Sequence, residues 1–211
     1  CGVDAVKFQL FHVQRLILKR VKKATYQQKT TDANESQDEM LQKLALSKDQ
    51  LAELQSYSRQ KGLIFLTTPF DSQSLSELIS LNLPAYKISS TDNTNLPFLK
   101  KVALIGKPIL LSTGMAYLFE IEKALELIRA YNDKVILLQC TSNYPVDSKD
   151  ANLNVLQTFR DKFNILVGYS DHTLGVGAAP YAVSAGAKVI EKHIPLDKHL
   201  PGPDHHAAVD V

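Results

Sequence analysis

The sequence predicts an α/β fold, a parallel TIM-type (β/α)8 barrel whose first strand is expected to lie outside this chain. Three observations carry that expectation. Short apolar runs recur with helical stretches between them, mostly near the ~30 residues that one βα unit occupies, and such alternation builds a parallel sheet, open or closed. No Gly-rich phosphate fingerprint follows the first run, as it would in a dinucleotide-binding open sheet. Polar residues stand inside the apolar runs, which suits strands facing a barrel lumen.

The runs are residues 5–10, 63–67, 85–88, 108–111, 135–139, 165–168 and 188–191. That makes seven strands where a barrel needs eight. The chain opens on Cys1, and Gly2 to Leu10 already approaches a core strand. The missing strand is therefore expected upstream. Between strands, Ser47-Lys48-Asp49-Gln50 has the capping-box form and opens a helix carrying Leu51, Leu54 and Tyr57 until Gly62. Leu118, Ile121, Leu125 and Ile128 form one apolar helical stripe with Glu120, Glu122 and Glu126 outside it. The small residues of 175–187 suit a helix packed closely on a sheet. Residues 19–47 break the rhythm. They are polar, hold a basic run at Lys19, Arg20, Lys22 and Lys23, and are too long for an ordinary βα connection, so a functional loop or lid is expected. The run reads first as a solvated face, with phosphate attraction the sharper alternative.

Composition narrows the function. The chain has 211 residues, 45% hydrophobic and 22% charged, as one globular domain would. A net charge of +2 gives no reason to expect nucleic acid or an anionic membrane. No stretch reaches the ~20 apolar residues of a membrane span. Two cysteines, Cys1 and Cys140, make no disulfide framework and fit a reducing compartment, so a cytoplasmic protein is expected.

The chemistry lies at strand ends. Period-2 alternation places Val6, Phe8 and Leu10 on one face of the first run and Lys7 with Gln9 on the other. With the apolar set against the helices, Lys7 points into the lumen, and Lys87 repeats the pattern. A buried ammonium costs several kcal/mol unless an anion meets it, so two of them suggest a bound phosphate or carboxylate; structural salt bridges are the plainer reading. Hydroxyls end five strands, in Thr67-Thr68, Ser89-Ser90, Ser112-Thr113, Thr141-Ser142 and Ser170. One such residue is most often a helix N-cap, but five at the catalytic face of a barrel describe an oxyanion cradle. His172 and His193 close adjacent strands, where two imidazoles suit a divalent transition metal or serve as hydrogen-bonded structural residues. Asp92 follows Ser90 and either orients and deprotonates a water or complements a helix N-terminus.

The strings FLTTPFD, PAYKISS with Asp92 after it, GKPILLSTGM, LLQCTSNYP, VGYSDHTLG, VIEKHIPLD and GPDHH together resemble the sialic acid synthase family, in its order and spacing, over essentially the whole chain. The resemblance implies a synthase that condenses phosphoenolpyruvate with an N-acylated mannosamine-type sugar, N-acetylmannosamine or a 2,4-diacetamido hexose. It implies phosphoenolpyruvate contacts at Lys7, Thr68, Lys87, Ser90, Ser112, Ser142 and Ser170, and sugar contacts at Gln9, Tyr144 and Asp204. It also implies a divalent metal, Mn²⁺ before Mg²⁺, on His172 and His193, with Asp92, Lys87 and His172 in the chemistry. Two positions depart from the pattern: Ser142 stands where some members have Asn, and Gln139 where many have His. A homodimer is implied for the full-length protein, with an acidic residue on the first strand and a C-terminal antifreeze-like domain carrying an Arg for the sugar; neither lies in these 211 residues. Another phosphoenolpyruvate-dependent aldose-phosphate synthase and a non-catalytic sugar-binding barrel are the alternatives.

Overall fold

The computed structural model describes residues 2–32, 34–197, 205, 208 and 209. Its strands are β1 (Ala5–Leu10), β2 (Ile64–Pro69), β3 (Tyr86–Ile88), β4 (Ile109–Ser112), β5 (Val135–Gln139), β6 (Leu166–Asp171) and β7 (Val189–Lys192). They pair in chain order and all in parallel. The sheet curls strongly. Although β1 and β7 end the pairing order, Lys7 of β1 reaches Glu191 of β7 at 3.2 Å. The architecture is a TIM-type barrel with seven of its strands among the described residues, as the sequence predicts.

The helices are α1 (Val13–Leu16), α2 (Thr25–Thr30), α3 (Gln37–Leu44), α4 (Lys48–Gln60), α5 (Ser72–Ile79), α6 (Leu96–Ala103), α7 (Leu118–Arg129), α8 (Asn154–Phe163) and α9 (Ala179–Ser184). Local chemistry sets their ends. Ser47 Oγ accepts from the Gln50 backbone N–H at 3.2 Å while Gln50 accepts from the Ser47 backbone N–H at 2.8 Å, closing the capping box of α4. Asp71 caps α5 by accepting from the N–H groups of Gln73 and Ser74. The α7 stripe buries Ile121, Leu125 and Ile128, whereas Leu118, its first member, stays exposed at the first position of the helix. Residues 175–187 form a shorter helix than the small-residue pattern suggests. The chain first turns through Gly177 at φ +56°, where a Cβ would fall 1.7 Å from Thr173 Oγ1, and α9 spans only six residues.

The core lies between the outer face of the sheet and the helices. Tyr86, Ile88, Ile109, Leu111, Leu137, Val167 and Tyr169 are almost wholly buried there with Leu51, Leu78, Leu99 and Leu156 from the helices. Each fully buried side chain of this size contributes ~1.5–3 kcal/mol of transfer free energy.

The stretch 19–47 departs most from expectation, since it carries helices where a loop is expected. Ser36 and Glu39 cap each other at the start of α3, and Met40 is buried. Lys23 is buried as well and is no part of a solvated basic face. Its ammonium donates to Thr31 Oγ1 at 2.6 Å, to the Asp32 carbonyl and to Glu35 at 3.1 Å. Lys19, Arg20 and Lys22 are exposed.

Candidate active site

Paired residues of a parallel sheet share a face, so the register sorts the side chains. Lys7 pairs Leu66 and Gln9 pairs Thr68; the Thr67–Tyr86 pair places Thr68 level with Lys87. Lys87 pairs Leu110, Ser112 pairs Leu138, Leu138 pairs Gly168 and Ser170 pairs Glu191. Lys7, Gln9, Thr68, Lys87, Ser112, Ser170 and Glu191 therefore line the lumen. Both lysines face inward, as their parity predicts.

Both also meet one anion, and that anion belongs to the protein. The Glu191 carboxylate lies 3.2 Å from Lys7 Nζ and 3.7 Å from Lys87 Nζ, and accepts from Ser170 Oγ at 2.8 Å. Burial works to raise the Glu191 carboxyl, but the two ammoniums and the serine hydroxyl overcome it and hold it well below the usual range. Lys87 is buried, and desolvation pushes its ammonium down to about 8 against the pull of Glu191. Sequence reasoning passed over Glu191, although period 2 in Val189-Ile190-Glu191-Lys192 was a usable signal.

Around this triad lie hydroxyls without partners. Thr68 Oγ1 and Ser112 Oγ are buried and have no hydrogen-bond partner among the described residues. Leaving a buried hydroxyl unpaired costs ~1–3 kcal/mol, so these two are placed to take a partner from outside the described residues. Ser90 and Ser142 touch through their hydroxyls at 3.3 Å, which joins the ends of β3 and β5 over the lumen. The close approach depends on Gly114, where a Cβ would lie 2.7 Å from Cys140 Sγ and 2.9 Å from Ser142 Oγ. Asp92 is buried, and desolvation raises its carboxyl while the Asn95 amide, donating at 3.0 Å, works the other way. Asn95 caps α6, so Asp92 also steadies that helix start.

The two histidines stand together. His172 and His193 follow β6 and β7 directly, with ring centroids 5.4 Å apart and planes at 74°. His172 Nδ1 lies 2.7 Å from the Thr141 carbonyl. A carbonyl only accepts, so Nδ1 carries the proton and Nε2 keeps its lone pair. Burial pushes His172 down, and burial with the charge of Lys7 pushes His193 down to about 3. Both rings are therefore neutral, the form that ligates metal. No third His, Cys, Asp or Glu joins them in a cluster among the described residues. The donor set fits a divalent metal that takes two protein nitrogens and fills its other positions with water or substrate. Tyr144 lies over the pair, its centroid 4.1 Å from His172 and 5.5 Å from His193. Gln9 is exposed at the end of its strand. Asp204 lies outside the described residues.

The comparisons with known proteins agree with this fold. A model of the NeuB family matches residues 1–211. The chain is 46% identical to an N,N'-diacetyllegionaminic acid synthase of Campylobacter jejuni, over 99% of this chain and 64% of that protein. It is 44% identical to a protein of the same name from Legionella pneumophila, over 99% of this chain and 60% of that one. It thus spans less than two thirds of the length of these relatives. A crystal structure of an N-acetylneuraminic acid synthetase from Leptospira borgpetersenii in complex with citrate superposes with a TM-score of 0.85 at 31% identity, covering 98% of this chain and 68% of that one. No helix among the described residues is long and apolar enough to cross a membrane.

Proposed function

The chain belongs to the NeuB family, and on that premise we propose that it is the catalytic barrel of a synthase joining phosphoenolpyruvate to an N-acylated mannosamine-type sugar. The two diacetyllegionaminic acid synthases among its relatives favour a 2,4-diacetamido hexose over N-acetylmannosamine as acceptor. The observation that carries the reading is the meeting of Lys7, Lys87 and two unpartnered buried hydroxyls with two neutral imidazoles on one lumen face.

In this reading the reaction is an aldol-like condensation. C3 of phosphoenolpyruvate forms a bond to the open-chain sugar's aldehyde carbon, whose oxygen gains a proton. Water adds at C2, and cleavage of the bond from C2 to the bridging oxygen expels phosphate and leaves a nine-carbon 2-keto acid. Lys7 and Lys87 neutralise the phosphate and carboxylate, and Thr68, Ser90, Ser112, Ser142 and Ser170 fix the enol's orientation. Before substrate enters, Glu191 holds the two ammoniums in the lumen. Asp92, its carboxyl raised by burial toward the working range of a general base, takes the proton of the attacking water. Gln9, Tyr144 and Asp204 hold the acceptor. A divalent metal on His172 and His193, Mn²⁺ before Mg²⁺, supplies Lewis-acid polarisation of the aldehyde when bound. A cytoplasmic homodimer belongs to the same proposal, with light scattering as its check.

The test is phosphate release by the full-length protein with phosphoenolpyruvate and Mn²⁺. Release that requires a 2,4-diacetamido hexose or N-acetylmannosamine, with one 2-keto acid formed per phosphate, is expected. Release that requires arabinose 5-phosphate or erythrose 4-phosphate instead would overturn the proposal.

A further inference from the structure

The outer face of β6 and β7 changes character at its last step. Val167 and Tyr169 are buried there, and Tyr169 pairs Ile190, but the next outward pair is Asp171 with Lys192. Asp171 is wholly buried, and its carboxylate lies 3.2 Å from Lys192 Nζ. The same carboxylate accepts from the Thr173 backbone N–H at 2.9 Å and from Thr173 Oγ1 at 2.6 Å. Lys192 Nζ also donates to the Thr173 carbonyl. Thr173 is held from its other side, where Oγ1 accepts from the Ala178 N–H at 3.0 Å. An ion pair this deep is weak evidence of stability, because well-packed apolar residues in its place are often no worse. Its position in the chain supplies a better reason. His172 stands between Asp171 and Thr173, and His193 follows Lys192. One ammonium thus ties the residues on both sides of the first imidazole to the residue before the second.

We infer that Asp171 and Lys192 are positioning residues, which from the face opposite the lumen hold His172 and His193 at one spacing for a divalent metal. The inference rests on the proposed metal site and goes beyond it by naming what sets its geometry. No third His, Cys, Asp or Glu joins the two imidazoles in a cluster among the described residues, so the spacing of these two donors governs how well an ion is held. The Thr141 carbonyl fixes the rotation of the His172 ring. The clamp behind it fixes where the backbone carrying that ring stands against β7. Groups that orient metal ligands from behind typically govern affinity by about 10- to 100-fold.

The experiment titrates metal-free full-length protein with Mn²⁺ alone, reading the bound ion by calorimetry, and measures the phosphoenolpyruvate KM at saturating Mn²⁺. Lys192→Met is expected to raise the Mn²⁺ Kd by about 10-fold or more and to leave that KM within about threefold. Turnover lost at limiting Mn²⁺ should return as Mn²⁺ is raised, a recovery that general loosening of the barrel would not give. Lys192→Met also leaves the Asp171 charge buried without its cation. If circular dichroism shows that it does not fold, Asp171→Asn with Lys192→Met removes both charges while keeping an oxygen for Thr173, and the same rise in Kd is expected. An unchanged Kd in a folded variant overturns the inference, and so does a KM that rises in step with Kd. Failure of both variants to fold makes the pair structural and overturns it too. Wild-type protein that binds no Mn²⁺, or binds it equally well after His172→Ala and His193→Ala, overturns the metal assignment itself, and this inference with it.

Discussion

The two faces of this sheet are made from alternate residues of the same strands, yet they answer to different physics. The outer face, with Tyr86, Ile88, Ile109 and Leu111, is mostly apolar and meets helices that bury these four side chains. The inner face holds Lys7, Thr68, Lys87, Ser112 and Glu191 among leucines such as Leu66, Leu110 and Leu138, and gathers the lumen's charged groups with two buried hydroxyls that have no partner among the described residues. A one-residue step along β3, from Tyr86 to Lys87, crosses from one regime to the other. The contrast teaches that stability is concentrated outside and binding inside. Unpartnered hydroxyls and a buried ammonium are costs the fold carries for the sake of a ligand.

If that division is real, substitutions on the two faces should move different observables. The largest effect is expected at the imidazoles. His172→Ala or His193→Ala should lower metal-dependent turnover at least about 10³-fold, the scale of losing several kcal/mol of Lewis-acid stabilisation, while Tm, read by thermal melts, moves by no more than about 4 °C. A comparable fall in Tm would break the comparison.

On the outer face, Leu111→Ala should cost about 2–5 kcal/mol of stability in denaturant titration and leave the phosphoenolpyruvate KM unaltered. Its inner-face counterpart is Lys87→Met, expected to raise that KM about 10- to 100-fold, since a charge-assisted contact is worth about 1.5–3 kcal/mol, without lowering stability. The pH dependence follows with a definite sign. Because burial depresses the Lys87 ammonium to about 8, the free enzyme loses that charge as pH rises through about 8, and kcat/KM for phosphoenolpyruvate should fall there. Between about 8 and the ordinary lysine value the unfolded chain binds the extra proton, so the stability cost of burying this lysine is present below 8 and relieved above it. Lys87→Met should flatten the kinetic part of the profile. The smallest effect is expected at Thr68→Val, which removes an unpartnered buried hydroxyl. It should leave stability unchanged or raise it by up to about 1 kcal/mol while raising the phosphoenolpyruvate KM a few-fold.

Legibility in the sequence followed the same divide. The strands were readable to within two residues at most edges because β-branched and apolar runs flanked by Gly, Pro and Asn mark them sharply. β6 extended three residues further than the apolar run, through Tyr169, Ser170 and Asp171, because ladder pairing with β7 continues where hydrophobicity stops. Parity was enough to turn Lys7 and Lys87 inward. What parity could not show was which anion they meet, since Glu191 lies at the opposite end of the pairing order and only the curl of the sheet brings it to Lys7. The helices within 19–47 escaped because α2 and α3 are six and eight residues long, too short for a 3.6-residue period to stand out. Ser36-Gln37-Asp38-Glu39 is a capping-box signal that would have marked α3. The ring contact of Tyr26 with Tyr144 left no signal at all, because its two members lie far apart along the chain.

The inner face is the proposed meeting place of phosphoenolpyruvate and metal. The direct test is a crystal of the full-length protein soaked with phosphoenolpyruvate and Mn²⁺, with diffraction recorded above and below the manganese edge. One anomalous peak bonded to His172 and His193 is expected, with phosphoenolpyruvate density against Lys87 and the hydroxyls of Thr68 and Ser112 now partnered. Manganese bound away from the two histidines, or phosphoenolpyruvate density outside the lumen with Glu191 still held between the lysines, would contradict it.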